Sequence, residues 1–138
     1  MNLFADSSAL AKRYIADETS DGFEELLHRS NSLAVSVLCL PEVISALCRR
    51  LRERYLTKSQ YAQAKAALEA DLVDTAVIAM TDEVLIHGVR LLENHPLRAS
   101  DAIQISSALA WQADAFTSAD ARQCDAAKAA GLKVFRLY

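Results

Sequence analysis

Short apolar runs alternate with longer amphipathic stretches along the whole chain. The first run, Leu3-Phe4-Ala5, breaks at Asp6, and Asp6-Ser7-Ser8 opens a helical pattern with apolar positions at Ala9, Leu10, Tyr14 and Ile15. A polar break, Asp17–Asp21, precedes a helix over Gly22–Arg29 with Phe23, Leu26 and Leu27 on one face. After the turn Ser30-Asn31-Ser32, Leu33–Val37 has the β-branched character of a buried strand. Leu38–Arg54 reads as a long helix, with Pro41 in its first turn and Val43, Leu47 and Leu51 along one face. Thr57-Lys58-Ser59 interrupts the pattern, and an alanine-rich helix follows from Gln60 to Leu72.

The second half repeats the alternation. Asp74–Met80 contains a strand, Thr81 or Asp82 starts a helix that runs to Asn94, and His95-Pro96-Leu97 stops it. Ala99-Ser100-Asp101 begins another helix, carrying Ile103, Ile105 and Leu109. Ala115-Phe116-Thr117 is a brief strand and Ser118-Ala119-Asp120 starts a short helix. Gly131 ends that helix, and Lys133–Leu137 is the last strand. Strands alternating with helices predict an α/β fold, a parallel sheet covered by helices on both faces with right-handed crossovers. No linker, repeat or low-complexity segment divides residues 1–138, which are read as one domain.

Composition narrows the picture. The chain has 138 residues, 52% of them hydrophobic and 24% charged, enough to build a core and too apolar for a disordered chain. Three glycines and two prolines against abundant alanine favour helices with short connections. A net charge of −3 provides no overall basic field, so a nucleic-acid partner would need a local patch. Cys39, Cys48 and Cys124 are odd in number and widely spaced, which indicates neither a disulfide framework nor a zinc site. His28, His87 and His95 lack metal-ligand spacing. With no signal-like or membrane-spanning run, the expectation is a soluble, reduced, cytoplasmic protein.

Four acids occupy equivalent places. Asp6 follows the first strand and Glu42 lies in the first turn of the helix after the second. Asp101 opens its helix, and Asp120 follows the strand at Phe116. Each alone reads first as a cap favoured by the helix dipole. In a parallel sheet, however, Asp6, Glu42 and Asp120 reach the same edge, the carboxyl end where ligands bind in α/β folds, and Asp101 can join them from its helix start. Convergent carboxylates repel one another and call for a cation, and oxygen-only ligands select hard ions such as Mg²⁺ or Mn²⁺ over zinc. Carboxylate-bound ions support phosphodiester hydrolysis.

These residues also carry a family resemblance. FADSSALAKRY, LPEV, LRASDAIQISSALAW and AFTSADARQ, in this order and over essentially the whole chain, resemble the PIN-domain ribonucleases, and among them the VapC-type toxins of toxin–antitoxin pairs. The resemblance implies a three-layer α/β/α sandwich with a central parallel sheet, and a Mg²⁺- or Mn²⁺-dependent endoribonuclease. It also implies a homodimer and inhibition by a small antitoxin. Asp6, Glu42 and Asp101 match the family's metal-binding catalytic acids and Asp120 the fourth, more variable one. Thr117 and Ser118 match its neighbouring polar residues, with Asp125 a weaker candidate for the fourth acid. Gln123-Cys124 stands where the family often has a bulkier aliphatic residue.

Other readings account for fewer of these residues. A haloacid-dehalogenase-like phosphatase would want an acid at Ser8, and a phosphoacceptor receiver domain would leave Glu42 and Asp101 unexplained. A catalytically inactive PIN-like binding module, or another Mg²⁺-dependent phosphoryl hydrolase, stays open as the alternative. Arg49, Arg50, Arg52 and Arg54 form the one concentrated basic run. It reads either as a solvated helix end or as an RNA-phosphate contact, and Lys12 and Arg13 are a second candidate for that contact. Trp111, Tyr14, Tyr55 and Tyr61 read as packing residues.

Overall fold

The computed structural model describes residues 1–138. Five parallel strands form one sheet in the order β3-β2-β1-β4-β5. They are β1 (Asn2–Ala5), β2 (Ser32–Ser36), β3 (Ala76–Ile78), β4 (Ala115–Ser118) and β5 (Lys133–Arg136). The helices are α1 (Ser7–Leu10), α2 (Ser20–His28), α3 (Cys39–Arg52), α4 (Lys58–Val73), α5 (Asp82–Asn94), α6 (Ala99–Ala110) and α7 (Ala121–Ala129).

Side-chain alternation along β1 divides the core into two layers. Leu3 and Ala5 face one way and join Val35, Leu10, Phe23, Val43, Leu47 and Leu68 under α1 to α4. Phe4 faces the other way and packs with Ala34, Phe116, Ala102, Ile105 and Ala108 under α6 and α7. Phe4 and Phe116 are register partners on neighbouring strands. Their rings stack with centroids 5.9 Å apart, which ties β1 to β4.

This pairing places the topological switch. The chain winds outward from β1 to β2 and β3, then returns to β4 on the other side of β1 and continues to β5. In open α/β sheets ligands bind beyond the carboxyl ends of the strands at such a switch, which here is the edge past β1 and β4.

One expected element is shorter than its periodicity suggests. The pattern from Asp6 to Ile15 predicts a continuous helix, but α1 is four residues long and gives way to a 3₁₀ turn at Ala11–Arg13. Ser20 Oγ donates to the Lys12 carbonyl, and Asp17 accepts from the backbone N–H and hydroxyl of Thr19. These bonds turn the chain into α2 and use a carbonyl that a longer helix would need. At α4, Thr57 and Gln60 form a reciprocal capping box. No helix is long and apolar enough to cross a membrane.

Candidate active site

Asp6 is the first residue past β1, and only 1% of its surface is exposed. Its backbone N–H pairs with the Thr117 carbonyl, extending the β1–β4 ladder by one bond. Oδ1 accepts from the Ala9 N–H at 2.8 Å, which caps α1, and from Ser8 Oγ at 2.7 Å. Oδ2 accepts from Ser118 Oγ at 2.5 Å. Ser8 and Ser118 are themselves braced: Ser8 Oγ accepts from the Ala119 N–H, and Ser118 Oγ from the Asp120 N–H. The capping reading of Asp6 is therefore correct, and the same carboxylate also reaches across the switch to β4.

Asp120 caps α7, with Oδ1 accepting from the N–H groups of Arg122 and Gln123. Asp101 lies in the first turn of α6 and Glu42 in the first turn of α3. Glu42 Oε1 receives two donors, Gln104 Nε2 at 2.7 Å and Ser7 Oγ at 2.9 Å. Gln104 Nε2 also donates to Ser7 Oγ at 2.8 Å. Sequence reasoning missed this triangle, since its members are 35, 62 and 97 residues apart.

The four acids share an electrostatic field. Burial raises the Asp6 carboxyl from 3.8 to about 6 against the pull of its three donors, and the Asp120 charge adds to the rise. Asp101 is also raised, first by burial, then by Asp120 and Glu42, with partial relief from Arg98. The buried Cys39 thiol is pushed up to about 12, chiefly by burial and then by the charges of Asp6 and Glu42. That buried thiol is an inert core filler.

No three of the acids stand in an arrangement that holds a metal ion as they are. Both oxygens of Asp6, one of Glu42 and one of Asp120 are turned to protein donors. The donor set nevertheless fits a hard cation: it is carboxylate oxygen only, with no thiolate or imidazole, and mutually repelling.

None of the remaining candidates hydrogen-bonds to these acids through its side chain. Thr117 is buried and donates to the Phe135 carbonyl on β5, so its hydroxyl is committed to the sheet. Asp125 pairs with Arg136 on the exposed side of α7. Lys12 is paired with Asp17. Arg13 bridges Glu24 at 2.8 Å and Asp71 at 2.9 Å. It lines a cavity of about 320 Å³ with Leu33 and Thr75, at the amino ends of β2 and β3 and so opposite the acids. Arg49, Arg50, Arg52 and Arg54 are exposed at the far end of α3, with Arg50 over the Tyr55 ring. At 1.5 Å per residue they start about 10 Å from Glu42 along the helix axis.

Known proteins share this fold. Ribonuclease VapC45 of Mycobacterium tuberculosis (strain CDC 1551 / Oshkosh) is 30% identical, over 92% of this chain and 95% of its own. A toxin–antitoxin complex from Klebsiella pneumoniae superposes with a TM-score of 0.70 at 16% identity, covering all of this chain and 98% of that one. Mycobacterium tuberculosis VapC20, a sarcin-ricin loop cleaving toxin, also scores 0.70, at 18% identity over 94% of this chain and 95% of its own. At such identities the two structures speak for the fold. The PIN-domain family model matches residues 3–129, from β1 through α7, and so spans all four acids; the chain belongs to the PIN-domain family.

Proposed function

We propose that this chain is an endoribonuclease that cleaves RNA phosphodiester bonds, acting as the toxin of a toxin–antitoxin pair. The observation that carries the reading is the placement of Asp6, Glu42 and Asp120 just past the carboxyl ends of β1, β2 and β4, with Asp101 in the first turn of α6, at the switch of the sheet. VapC45, a relative at 30% identity, is named a ribonuclease, which supports the same chemistry.

Asp6, Asp101, Glu42 and Asp120 would hold Mg²⁺ or Mn²⁺. Such an ion, when bound, lowers the pKa of water and neutralises charge on the scissile phosphate. The chain's own groups prepare that binding. Ser8, Ser118 and the Ala9 N–H keep the buried Asp6 carboxylate oriented, and hydrogen bonding to the charged form opposes its protonation. Asp120 holds the start of α7 while its charge raises both Asp6 and Asp101. A single strand or loop of RNA would suit a site at a sheet edge, because its backbone can enter without a duplex partner.

The exposed Arg49, Arg50, Arg52 and Arg54 would contact RNA phosphates beyond the cleavage point. Lys12 and Arg13, expected in the same role, would first have to leave Asp17, Glu24 and Asp71. Inhibition by a small antitoxin, in the cytoplasm, completes the reading, and the toxin–antitoxin complex with this fold supports it. We also assign a homodimer, with a second copy on the apolar face of α5. Leu85, Ile86, Val89 and Leu92 are exposed there, beside a groove of about 420 Å³ that Ser100, next to Asp101, helps to line. Glu83 and Arg90 flank that face with opposite charges, so antiparallel α5 helices would match acid to base at both ends.

Incubation of the purified protein with RNA tests the activity. Cleavage should require Mn²⁺ or Mg²⁺ and stop in excess EDTA. Undiminished cleavage in EDTA would overturn the metal-dependent mechanism, and an uncut RNA pool with either ion would overturn the nuclease reading.

A further inference from the structure

Gln104 is 2% exposed, yet it lies on α6 one turn beyond Asp101 and faces the site. Both hydrogens of its amide are committed, one to Glu42 Oε1 and one to Ser7 Oγ. Ser7, having accepted from the amide, has its own proton free to donate, and it donates to the same Glu42 oxygen. The triangle therefore has a single sense. Two donors converge on Oε1, and no protein donor reaches Oε2.

The other end of the amide shows that this sense matters. Gln104 Oε1 is buried and has no hydrogen-bond partner. Such an orphaned acceptor is unfavourable. Rotating the amide by half a turn would set its carbonyl against the Glu42 carboxylate, acceptor facing acceptor. The orphaned oxygen is the consequence of aiming the N–H groups at Glu42. A residue that served packing alone would be better replaced by an apolar side chain of the same volume, which buries no unpaired oxygen.

We propose that Gln104, through Ser7 as well as directly, is a positioning residue that fixes the Glu42 carboxylate with Oε2 presented for a divalent cation. The inference rests on the nuclease reading above and deepens it: of the four acids, Glu42 is held by side chains from two other helices. Partners that orient a ligand in this way commonly change metal affinity by 10- to 100-fold when they are removed.

The test is Mn²⁺ binding by calorimetry, alongside melting of the metal-free protein. Gln104→Met keeps the length and most of the volume but removes both donors. Its Mn²⁺ Kd should rise about 10-fold or more, while its metal-free melting temperature holds or increases because the orphaned carbonyl is gone. Ser7→Ala should weaken Mn²⁺ in the same direction, and it decides the question should Gln104→Met fail to fold. In a Glu42→Gln background, Gln104→Met should cause no further loss of the Mn²⁺-induced rise in melting temperature. A folded Gln104→Met or Ser7→Ala protein with Mn²⁺ affinity within about twofold of wild type overturns the inference alone, as does a lowered metal-free melting temperature with unchanged affinity. Wild-type protein that binds no Mn²⁺ overturns the metal-dependent mechanism, and this inference with it.

Discussion

Ser118 Oγ donates to Asp6 Oδ2 at 2.5 Å across the junction of β4 and β1, joining residues 112 positions apart in the chain. The bond lies where the winding of the sheet reverses. It keeps a carboxylate ionised in a place where burial favours its neutral form, so the site retains negative charge at the cost of some stability.

That cost has a definite pH dependence. The Asp6 carboxyl titrates at about 6 in the folded chain against an ordinary value of 3.8, so between these values the folded state binds more protons than the unfolded state. Stability contributed at Asp6 is therefore full below about pH 4 and falls as pH rises to about 6, by roughly 3 kcal/mol at most. Metal-free Asp6→Asn should lose this dependence and be more stable than wild type at pH 7.5, the difference closing near pH 4. Denaturant melts in EDTA across that range measure it.

A shared cation should reverse the repulsion. Mg²⁺ or Mn²⁺ at about 100 times its Kd should stabilise wild type by about 2.7 kcal/mol through mass action. The increment should shrink in Asp6→Asn and Asp101→Asn, and RNA cleavage should be lost in both. Equal metal responses in all three proteins would mean that these acids hold no common ion.

The arginines at the end of α3 predict a salt effect. Replacing Arg49 and Arg52 by Gln should flatten the dependence of log Kd for a single-stranded RNA on log salt by about 0.7 per lost phosphate contact. Stability should change little, because both side chains are exposed. A slope identical to wild type would exclude these two residues from the RNA path.

The face of α5 predicts the oligomeric state. Ile86 and Val89 are each 55% exposed, so Ile86→Glu with Val89→Glu should cost little in a monomer and disfavour a dimer built on that face. Sedimentation should find a dimer for wild type and a monomer for the double variant, both well folded. A dimer that survives both charges would place the interface elsewhere.

Much of the fold was legible because it is written in short-range periodicity. Leu3-Phe4-Ala5 is an apolar run that breaks at Asp6, α3 repeats Val43 and Leu47 with the helical period, and the break at Thr57-Lys58-Ser59 marks the start of α4. The length of α1 was not legible, because the bonds of Ser20 and Asp17 that turn the chain after Arg13 belong to the approach of α2.

Asp6, Glu42, Asp101 and Asp120 could be picked out one by one, since each follows a strand or opens a helix, and a parallel sheet brings strand ends to one edge. What sequence alone determined is therefore the kind of fold and the acids at its edge, properties that follow from neighbours within a turn or a strand. Only the tertiary structure decided what each side chain holds. It assigned Gln104 and Ser7 to Glu42, Ser118 to Asp6 and Asp71 to Arg13. It also turned Thr117 toward β5 and Asp125 toward Arg136. Hydrogen bonds and ion pairs act over a few ångströms. Partners separated by tens of residues are selected by the packing of the sheet and its helices, and the pattern of polar and apolar positions carries no record of that choice.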